Sequence, residues 1–300
     1  MRYSGIGGQA VMEGIMMKND TKYAVAVRKP DKEIVVDVSK CSGIVENKKI
    51  RNMPILRGVF SFIESLTLGM KSLTFSASFF EEEEETPKDE KKESLWMGLT
   101  VAISILLAVG IFMVLPYGIS LLFQKVIKSK LVLALIEGAV RLIIFVGYVA
   151  AISLMEDIKR VYMYHGAEHK CINCIENGMD LTVENVRKSS RFHKRCGTSF
   201  LLIVMLVSIL FFMVIQVESP ILRLLLRIVL IPVIAGVSFE FIRLAGRSDN
   251  PIVNLISKPG LWLQKITTKE PDDEMIEVGI ASVEAVFDWK AYVAEIKENA

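Results

Sequence analysis

The chain predicts a mainly α, polytopic helical membrane protein with about four transmembrane helices, a small β-containing amino-terminal unit and an amphipathic helix beside it. Of its 300 residues, 52% are hydrophobic, a share that points away from an ordinary soluble domain. Four segments, near 95–123, 131–155, 199–217 and 221–245, stay apolar over the roughly 20 residues a helix needs to cross a hydrocarbon core ~30 Å thick. Charged residues still make up 23% of the chain, so sizeable parts face water.

Residues 1–53 read as a cytoplasmic β-rich unit. The start, Met1-Arg-Tyr-Ser-Gly-Ile-Gly-Gly, carries no apolar h-region, so no cleavable signal peptide is expected and the amino terminus stays in the cytoplasm. Tyr23-Ala-Val-Ala-Val-Arg and Glu33-Ile-Val-Val-Asp-Val are β-branched runs joined by Lys29-Pro-Asp-Lys. Proline presets φ there and the aspartate can close an Asx-turn, which predicts a hairpin. Gly5-Ile-Gly-Gly-Gln-Ala-Val-Met-Glu-Gly lacks the spacing of a phosphate-cradling loop. It reads as backbone that needs small residues for close packing.

Over 54–80, Ile55, Val59, Phe62, Ile63, Leu66, Leu73 and Phe75 recur near helical spacing, interrupted by Arg57, Glu64 and Lys71. That pattern predicts an amphipathic helix on the membrane surface or packed under the bundle, and not a fifth span. Residues 81–94, with Glu81 to Glu85 and Thr86-Pro-Lys-Asp-Glu-Lys-Lys-Glu-Ser, form a charged link too polar to bury a core. The membrane domain is 95–257, with a polar loop at 156–198. Residues 258–300 form a cytoplasmic tail with a helical pattern from Glu274 to Ile296. No internal repeat is visible, which argues against solenoids and inverted-repeat transporters.

Charge sets the orientation. The loop between the second and third spans carries eight basic residues (Lys159, Arg160, Lys170, Arg187, Lys188, Arg191, Lys194 and Arg195), whereas 216–220 carries none. Basic short loops stay inside, so this loop and both termini are placed in the cytoplasm of a bacterial inner membrane. Lys88, Lys91 and Lys92, and Arg243, Arg247 and Lys258, agree; Lys125, Lys128 and Lys130 dissent. Cys41, Cys171, Cys174 and Cys196 then sit in a reducing compartment, where thiolate ligands are commoner than disulfides.

The chemistry concentrates in the same loop, which holds all three histidines of the chain. His165 and His169 are four residues apart and share one face of a helix, as two imidazoles must to bind one metal, with Glu168 alongside. His-x-x-Glu-His is the inverted form of a zinc-peptidase motif in which the histidines bind zinc and the glutamate is the general base. A catalytic zinc takes three protein ligands and leaves a position open; the third is sought at His193, then Cys196, then Glu240, which could also act by orienting an imidazole. A rival reading pairs Cys171-x-x-Cys174 with His193-x-x-Cys196 as a closed structural zinc clamp. In a third, the histidines and Glu168 only cap and pair at a membrane boundary.

Gly7-Gly-Gln-Ala-Val-Met-Glu-Gly, Tyr164-His-Gly-Ala-Glu-His-Lys, Leu181-Thr-Val-Glu-Asn-Val, His193-Lys-Arg-Cys-Gly-Thr-Ser and Leu263-Gln-Lys-Ile-Thr-Thr-Lys-Glu-Pro together resemble the bacterial YqhQ-like membrane proteins, a domain-of-unknown-function family, over nearly the whole chain. The resemblance implies a predicted metal-dependent enzyme. It centres the site on His165, Glu168, His169, His193 and Cys196 rather than on Cys171 and Cys174, and it implies no substrate.

Ionisable groups inside a span cost at least ~2.5 kcal/mol each and are functional candidates. Glu137 and Arg141 are one helical turn apart and can neutralise each other; Arg223 and Arg227 lie near a span end, where they can snorkel; Glu240 can pair with Arg243. The sequence therefore predicts an integral membrane protein with a divalent-metal site, most simply zinc, at the cytoplasmic membrane face. Glu168 would activate water there for hydrolysis of a peptide or lipid-linked substrate. The alternative is a non-catalytic scaffold or assembly factor whose His/Cys loop is structural. Lipid and a protein or lipid-linked substrate are the expected partners, and nucleic acid is not.

Overall fold

The computed structural model describes residues 3–298 except 42–44, 46, 81–89, 216, 218 and 247–249. Most of the charged link, Gln216, Glu218 and Arg247 lie outside the described residues. In chain order the elements are β1 (Gly7–Val11), β2 (Gly14–Asn19), β3 (Lys22–Arg28), β4 (Ile34–Lys40), α1 (Lys48–Arg51), α2 (Leu56–Ala77), α3 (Glu90–Val109), a π-helical turn (Gly110–Val114), α4 (Leu115–Phe123), α5 (Lys130–Ile152), α6 (Glu156–Glu176), α7 (Val183–Lys188), α8 (Gly197–Val214), α9 (Pro220–Val229), α10 (Ile231–Ala245), α11 (Pro251–Thr267), α12 (Asp273–Val286) and α13 (Trp289–Glu298). They divide into two compact units: 1–81, 150–203 and 235–300 in the first, and 82–149 with 204–234 in the second.

The first unit contains a four-stranded antiparallel sheet in the order β1-β2-β3-β4. The predicted hairpin is β3 and β4, paired from Arg28↔Ile34 to Lys22↔Lys40. Its turn closes as the residues dictate, with Glu33 N–H donating to Asp31 Oδ1 at 3.0 Å. β1 and β2 are additions to the sequence reading, and their invisibility has a cause. Ile15 and Met17 of β2 and Ala26 of β3 enter one core with α6 and α12, while Met16, Val25 and Val27 enter another with Leu68 of α2. A strand covered on both faces loses the alternation that marks a half-buried one. Small residues hold the strands close: a Cβ on Gly8 would stand 2.7 Å from the Met16 carbonyl oxygen, and one on Gly14 2.5 Å from that of Ala26.

α2 forms where the apolar spacing predicts a helix, but with its polarity reversed toward the core. Gly58, Glu64, Gly69, Ser72 and Ser76 are buried, with Leu68 the one large apolar side chain among them, and Ile63, Leu66, Met70 and Leu73, which share one face, are exposed. The predicted carboxy-terminal helix is two. α12 starts at Asp272, whose side chain accepts from Met275 N–H at 2.9 Å, and it buries Met275, Ile276, Val278 and Val283. Asp288 then caps α13 by accepting from Ala291 N–H, because a short acceptor side chain outcompetes helix continuation there.

Among the described residues, three helical stretches are long and apolar enough to cross a membrane: Leu95–Phe123, Lys130–Ile152 and Gly197–Val214. A fourth is the pair Ile221–Val229 and Ile231–Ala245, bent by 43°. Pro232, just past the break, has no N–H for the preceding turn and crowds its carbonyl, which bends a helix. Pro116 acts similarly behind the π-helical turn. It cannot bond the Phe112 carbonyl, and that oxygen instead accepts from Arg141 Nε at 3.0 Å. Glu137 and Arg141 pair as expected, at 2.7 Å, but Arg227 corrects the snorkelling expectation. It is buried and donates to the other oxygen of Glu137 at 2.6 Å.

Candidate metal centre

The site is built on α6. Glu156 and Asp157 in its first turn suit the positive end of the helix dipole, and Gly178, at φ +74°, ends it in the left-handed conformation that favours glycine. The helix starts afresh at Glu156 after an extended Met155, rather than continuing α5, yet the four-residue spacing of His165 and His169 survives. Their ring centroids are 4.4 Å apart.

Each imidazole is oriented by a backbone carbonyl. His165 Nδ1–H donates to Thr267 O at 2.9 Å, and His169 Nδ1–H donates to Arg191 O at 2.6 Å. A carbonyl only accepts, so Nδ1 carries hydrogen and Nε2 is the nitrogen left for a metal, which on His165 would displace the proton that the Cys196 sulfur favours. Cys196 completes the group: its Sγ lies 3.2 Å from His165 Nε2. One ligand atom each from His165, His169 and Cys196 lie within 4.8 Å of one another.

Neighbouring segments fix those carbonyls. Lys269 N–H donates to Tyr162 O at 2.8 Å, drawing the end of α11 across α6 at Gly166, where a Cβ would meet Lys269 O at 2.0 Å. The irregular stretch before Cys196 is held through its own carbonyls. Asn173 Nδ2 donates to Ser190 O and Phe192 O, Lys170 Nζ to Arg187 O and Ser189 O, and Gln264 bonds both backbone groups of His193. Cys196 precedes the first turn of α8, where Thr198 N–H reaches its sulfur at 3.4 Å and Thr198 Oγ1 lies 2.7 Å away. A helix start and two imidazoles favour a thiolate. Burial pushes the thiol up, but His165 and His169 outweigh it and hold Cys196 well below the ordinary thiol value. Burial likewise opposes the charge on His165, and the Cys196 sulfur overcomes it, raising the imidazole to about 9.

Glu168 is buried beside this group. Burial lifts it above the ordinary carboxylate value against the pull of His165 and His169, with the Gly8 N–H as a backbone donor. A Cβ on Gly8 would stand 2.9 Å from Glu168 Cγ, so the glycine-rich start of the chain lies directly on the carboxylate. That proximity carried no signal in the spacing.

His193 stands next to the cluster, its ring centroid 5.6 Å from that of His169. Its Nε2 faces Arg195 at 3.2 Å and Glu176 at 3.7 Å. Glu176 also takes an ion pair from Arg195 and hydrogen bonds from Ser4 N–H and Oγ–H at 2.9 and 2.7 Å. Burial works against its charge, but His193, Arg195 and the Ser4 N–H prevail and bring it down to about 2. Glu240 is bound by Arg57 and stands outside the convergent group. Cys171 and Cys174 stand outside it too: Cys171 Sγ is where a Cβ on Gly279 would be, at 2.8 Å, and Cys174 Sγ points toward Asp180 O at 3.5 Å.

These features define a mainly helical chain with an amino-terminal antiparallel sheet, three or four helices among the described residues apolar enough to cross a membrane, and a largely buried His/Cys cluster. The chain belongs to the family described as "Protein of unknown function (DUF1385)", whose profile matches residues 53–289. It is 38% identical over 288 residues to "Uncharacterized protein YqhQ" of Bacillus subtilis (strain 168), covering 92% of this chain and 90% of that protein. No solved structure matches it.

Proposed function

We propose that this protein is an integral membrane protein carrying a divalent metal, zinc by the chemistry of its donors, at His165, His169 and Cys196, and that it acts as a hydrolase with Glu168 as general base. The observation that carries the reading is the convergence of two imidazole nitrogens and one thiol sulfur within 4.8 Å, with both Nδ1 atoms engaged by carbonyls. Two nitrogens and a sulfur suit zinc, and three protein ligands leave a coordination position for water or substrate. A divalent ion there supplies Lewis-acid activation at neutral pH.

Glu168 contributes a buried carboxylate whose proton affinity burial has raised, so it can take a proton and return it to a leaving group. Gly8 N–H holds that carboxylate, and Thr267 O and Arg191 O hold the imidazoles. Thr198 orients the Cys196 sulfur, while Glu176 and Arg195 occupy His193. The outward apolar faces of α2, α3, α5 and α8 support the membrane reading, and the basic residues of 156–198 support a cytoplasmic location for the site segment. The substrate class is a peptide or a lipid-linked molecule.

A scaffold with a structural site is the second reading, favoured by the near-complete burial of Glu168, His169 and Cys196. Metal analysis of the purified full-length protein tests both. Wild type is expected to carry about one zinc per chain, His169→Ala to lose it and Glu168→Gln to keep it. A wild-type protein that neither contains nor binds zinc ends the metal reading. If chelation removes zinc and the fold collapses with it, the structural role prevails, because a structural metal contributes its binding energy to folding.

A further inference from the structure

In the first unit, α11 turns outward a different kind of face from α7 and α12. Leu255 and Trp262 are 60% and 54% exposed, and with Pro259 between them, at four- and three-residue spacing, they share one face of the helix. Ile256 flanks that stripe on one side, and Lys258 and Lys265, both exposed and two helical turns apart, flank it on the other. Inward, α11 buries Ser257, Gly260, Gln264 and Thr267 together with Leu263. The inward polar groups are engaged at the His/Cys cluster: Gln264 bonds the backbone of His193 and the Ser199 hydroxyl, and the Thr267 carbonyl orients His165.

What meets this face follows from its charge, its composition and its place in the chain. α11 has two lysines and no acidic residue, and neither lysine has an ion-pair partner among the described residues. On α7 and α12 the exposed charges are matched within the protein, Arg187 with Asp273 and Lys188 with Glu184. An indole beside leucine, edged by lysine, is the composition of a helix lying in the headgroup layer, where the ring sits at the boundary and the ammonium groups reach lipid phosphates. α11 also begins at Pro251, just after α10 ends at Ala245, and α10 is half of the bent pair apolar enough to cross a membrane. Pro259, inside the helix, cannot donate to the Leu255 carbonyl, an oxygen that water can reach at headgroup depth but not in hydrocarbon.

We infer that the outer face of α11 is a docking surface for an anionic lipid bilayer, with Leu255, Ile256 and Trp262 among the upper acyl chains and Lys258 and Lys265 on phosphate headgroups. This surface rests on the membrane reading and is independent of any metal at the His/Cys cluster. It holds the backbone that orients His165 and His193 one helix diameter, ~10 Å, from the headgroup layer.

The test uses the full-length protein in nanodiscs of mixed phosphatidylcholine and phosphatidylglycerol, with Trp262 as the probe. Trp96→Phe with Trp289→Phe leaves Trp262 as the one tryptophan of the chain; where that pair of changes impairs folding, the difference between wild type and Trp262→Phe gives the same readout. Lipids brominated near the headgroup end of the acyl chain are expected to quench Trp262 about twofold more strongly than lipids brominated near the chain end. Bromine carried by phosphatidylglycerol should quench it more than bromine carried by phosphatidylcholine, with a selectivity of about fivefold per lysine. Lys258→Gln with Lys265→Gln should bring the two lipids level. Leu106→Trp, in a chain with the three native tryptophans replaced, tests the membrane reading separately and should be quenched by the deep bromines. If that probe is quenched and Trp262 is not, the docking surface alone is overturned; if neither is quenched, the membrane reading falls with it. A Trp262 reached by neither bromine nor aqueous acrylamide would mean that protein covers α11, and equal quenching by the two lipids in wild type would remove the anionic headgroup; either result overturns the inference.

Discussion

In the first unit most of the large fully buried side chains are apolar, Ile15, Met17, Ile172, Ile175, Leu263 and Ile276 among them; the charged residues Glu184, Arg187 and Lys188 of α7 and Asp273, Glu274 and Glu277 of α12 are exposed, and Glu168, Lys170 and Glu176 of α6 are the buried exceptions. In the second unit Leu106, Leu122, Ile143 and Val214 are each at least 70% exposed, while Glu137, Arg141 and Arg227 are buried. Water drives apolar groups inward. Hydrocarbon removes that drive, and polar groups must find partners inside the protein. The two units thus expose different kinds of side chain, a contrast of the sort that the proposed membrane placement of the second unit requires. α2, in the first unit, resembles the second unit in this, with glycines, serines, Glu64 and Leu68 inward and Ile63, Leu66, Met70 and Leu73 outward.

The sharpest way to break the contrast is to unpair the buried charges. Glu137→Leu leaves Arg141 and Arg227 without their shared carboxylate and is expected to cost about 3–5 kcal/mol, read as loss of folded protein in detergent unfolding. Replacing Arg141 and Arg227 by leucine in the same chain should recover most of that loss, since an apolar core of similar volume often serves as well. A single Glu137→Leu variant as stable as wild type would show that the guanidinium groups reach water.

Ile143→Lys asks about the solvent directly. On an exposed helix surface in water this substitution stays within about 0.5 kcal/mol. At the middle of a lipid-facing helix it costs about 2.5–3.5 kcal/mol. The larger value is expected, measured as the change in unfolding free energy in bilayer-like nanodiscs, and the smaller one would sink the membrane reading of the second unit.

In the first unit the corresponding buried charge is Glu176, and pH reaches it. Its folded value of about 2 lies below the ordinary 4.5, so its ionised form adds stability that is complete above about pH 5 and is lost as pH falls toward 2. By linkage, about 2 kcal/mol is gone at pH 3. Glu176→Gln cannot titrate, so the stability difference between wild type and this variant should shrink by that amount between pH 6 and pH 3. A difference independent of pH would mean that Arg195 and His193 do not hold the carboxylate as their distances suggest.

What the sequence exposed and what it hid follow from range. The His165 and His169 pair was readable because helical spacing is local, and the β3–β4 turn because Asp31 bonds two residues ahead. β2 was hidden by burial on both faces. The partnership of Arg227 with Glu137 joins residues far apart in the chain, and so does that of Glu240 with Arg57. Spacing ranked His193 ahead of Cys196 as a third ligand. Glu176 and Arg195 turn the free nitrogen of that ring toward themselves, an effect of tertiary neighbours. The carbonyls of Thr267 and Arg191 are invisible in principle, since every residue has one.

The smallest effect belongs to β4, and it closes the contrast from the other side. β4 is an edge of the sheet, and Val38 is 52% exposed there. If the first unit follows the rule of water, Val38→Lys should change unfolding free energy by less than about 0.5 kcal/mol, because edge strands tolerate and often use lysine. The same substitution type at Ile143 is expected to cost several times more. The two valine- and isoleucine-to-lysine values, measured in one nanodisc preparation, thus calibrate each other. Equal costs at both positions would remove the difference in solvent, and a large cost at Val38 alone would mean that the outer face of β4 is covered by a partner.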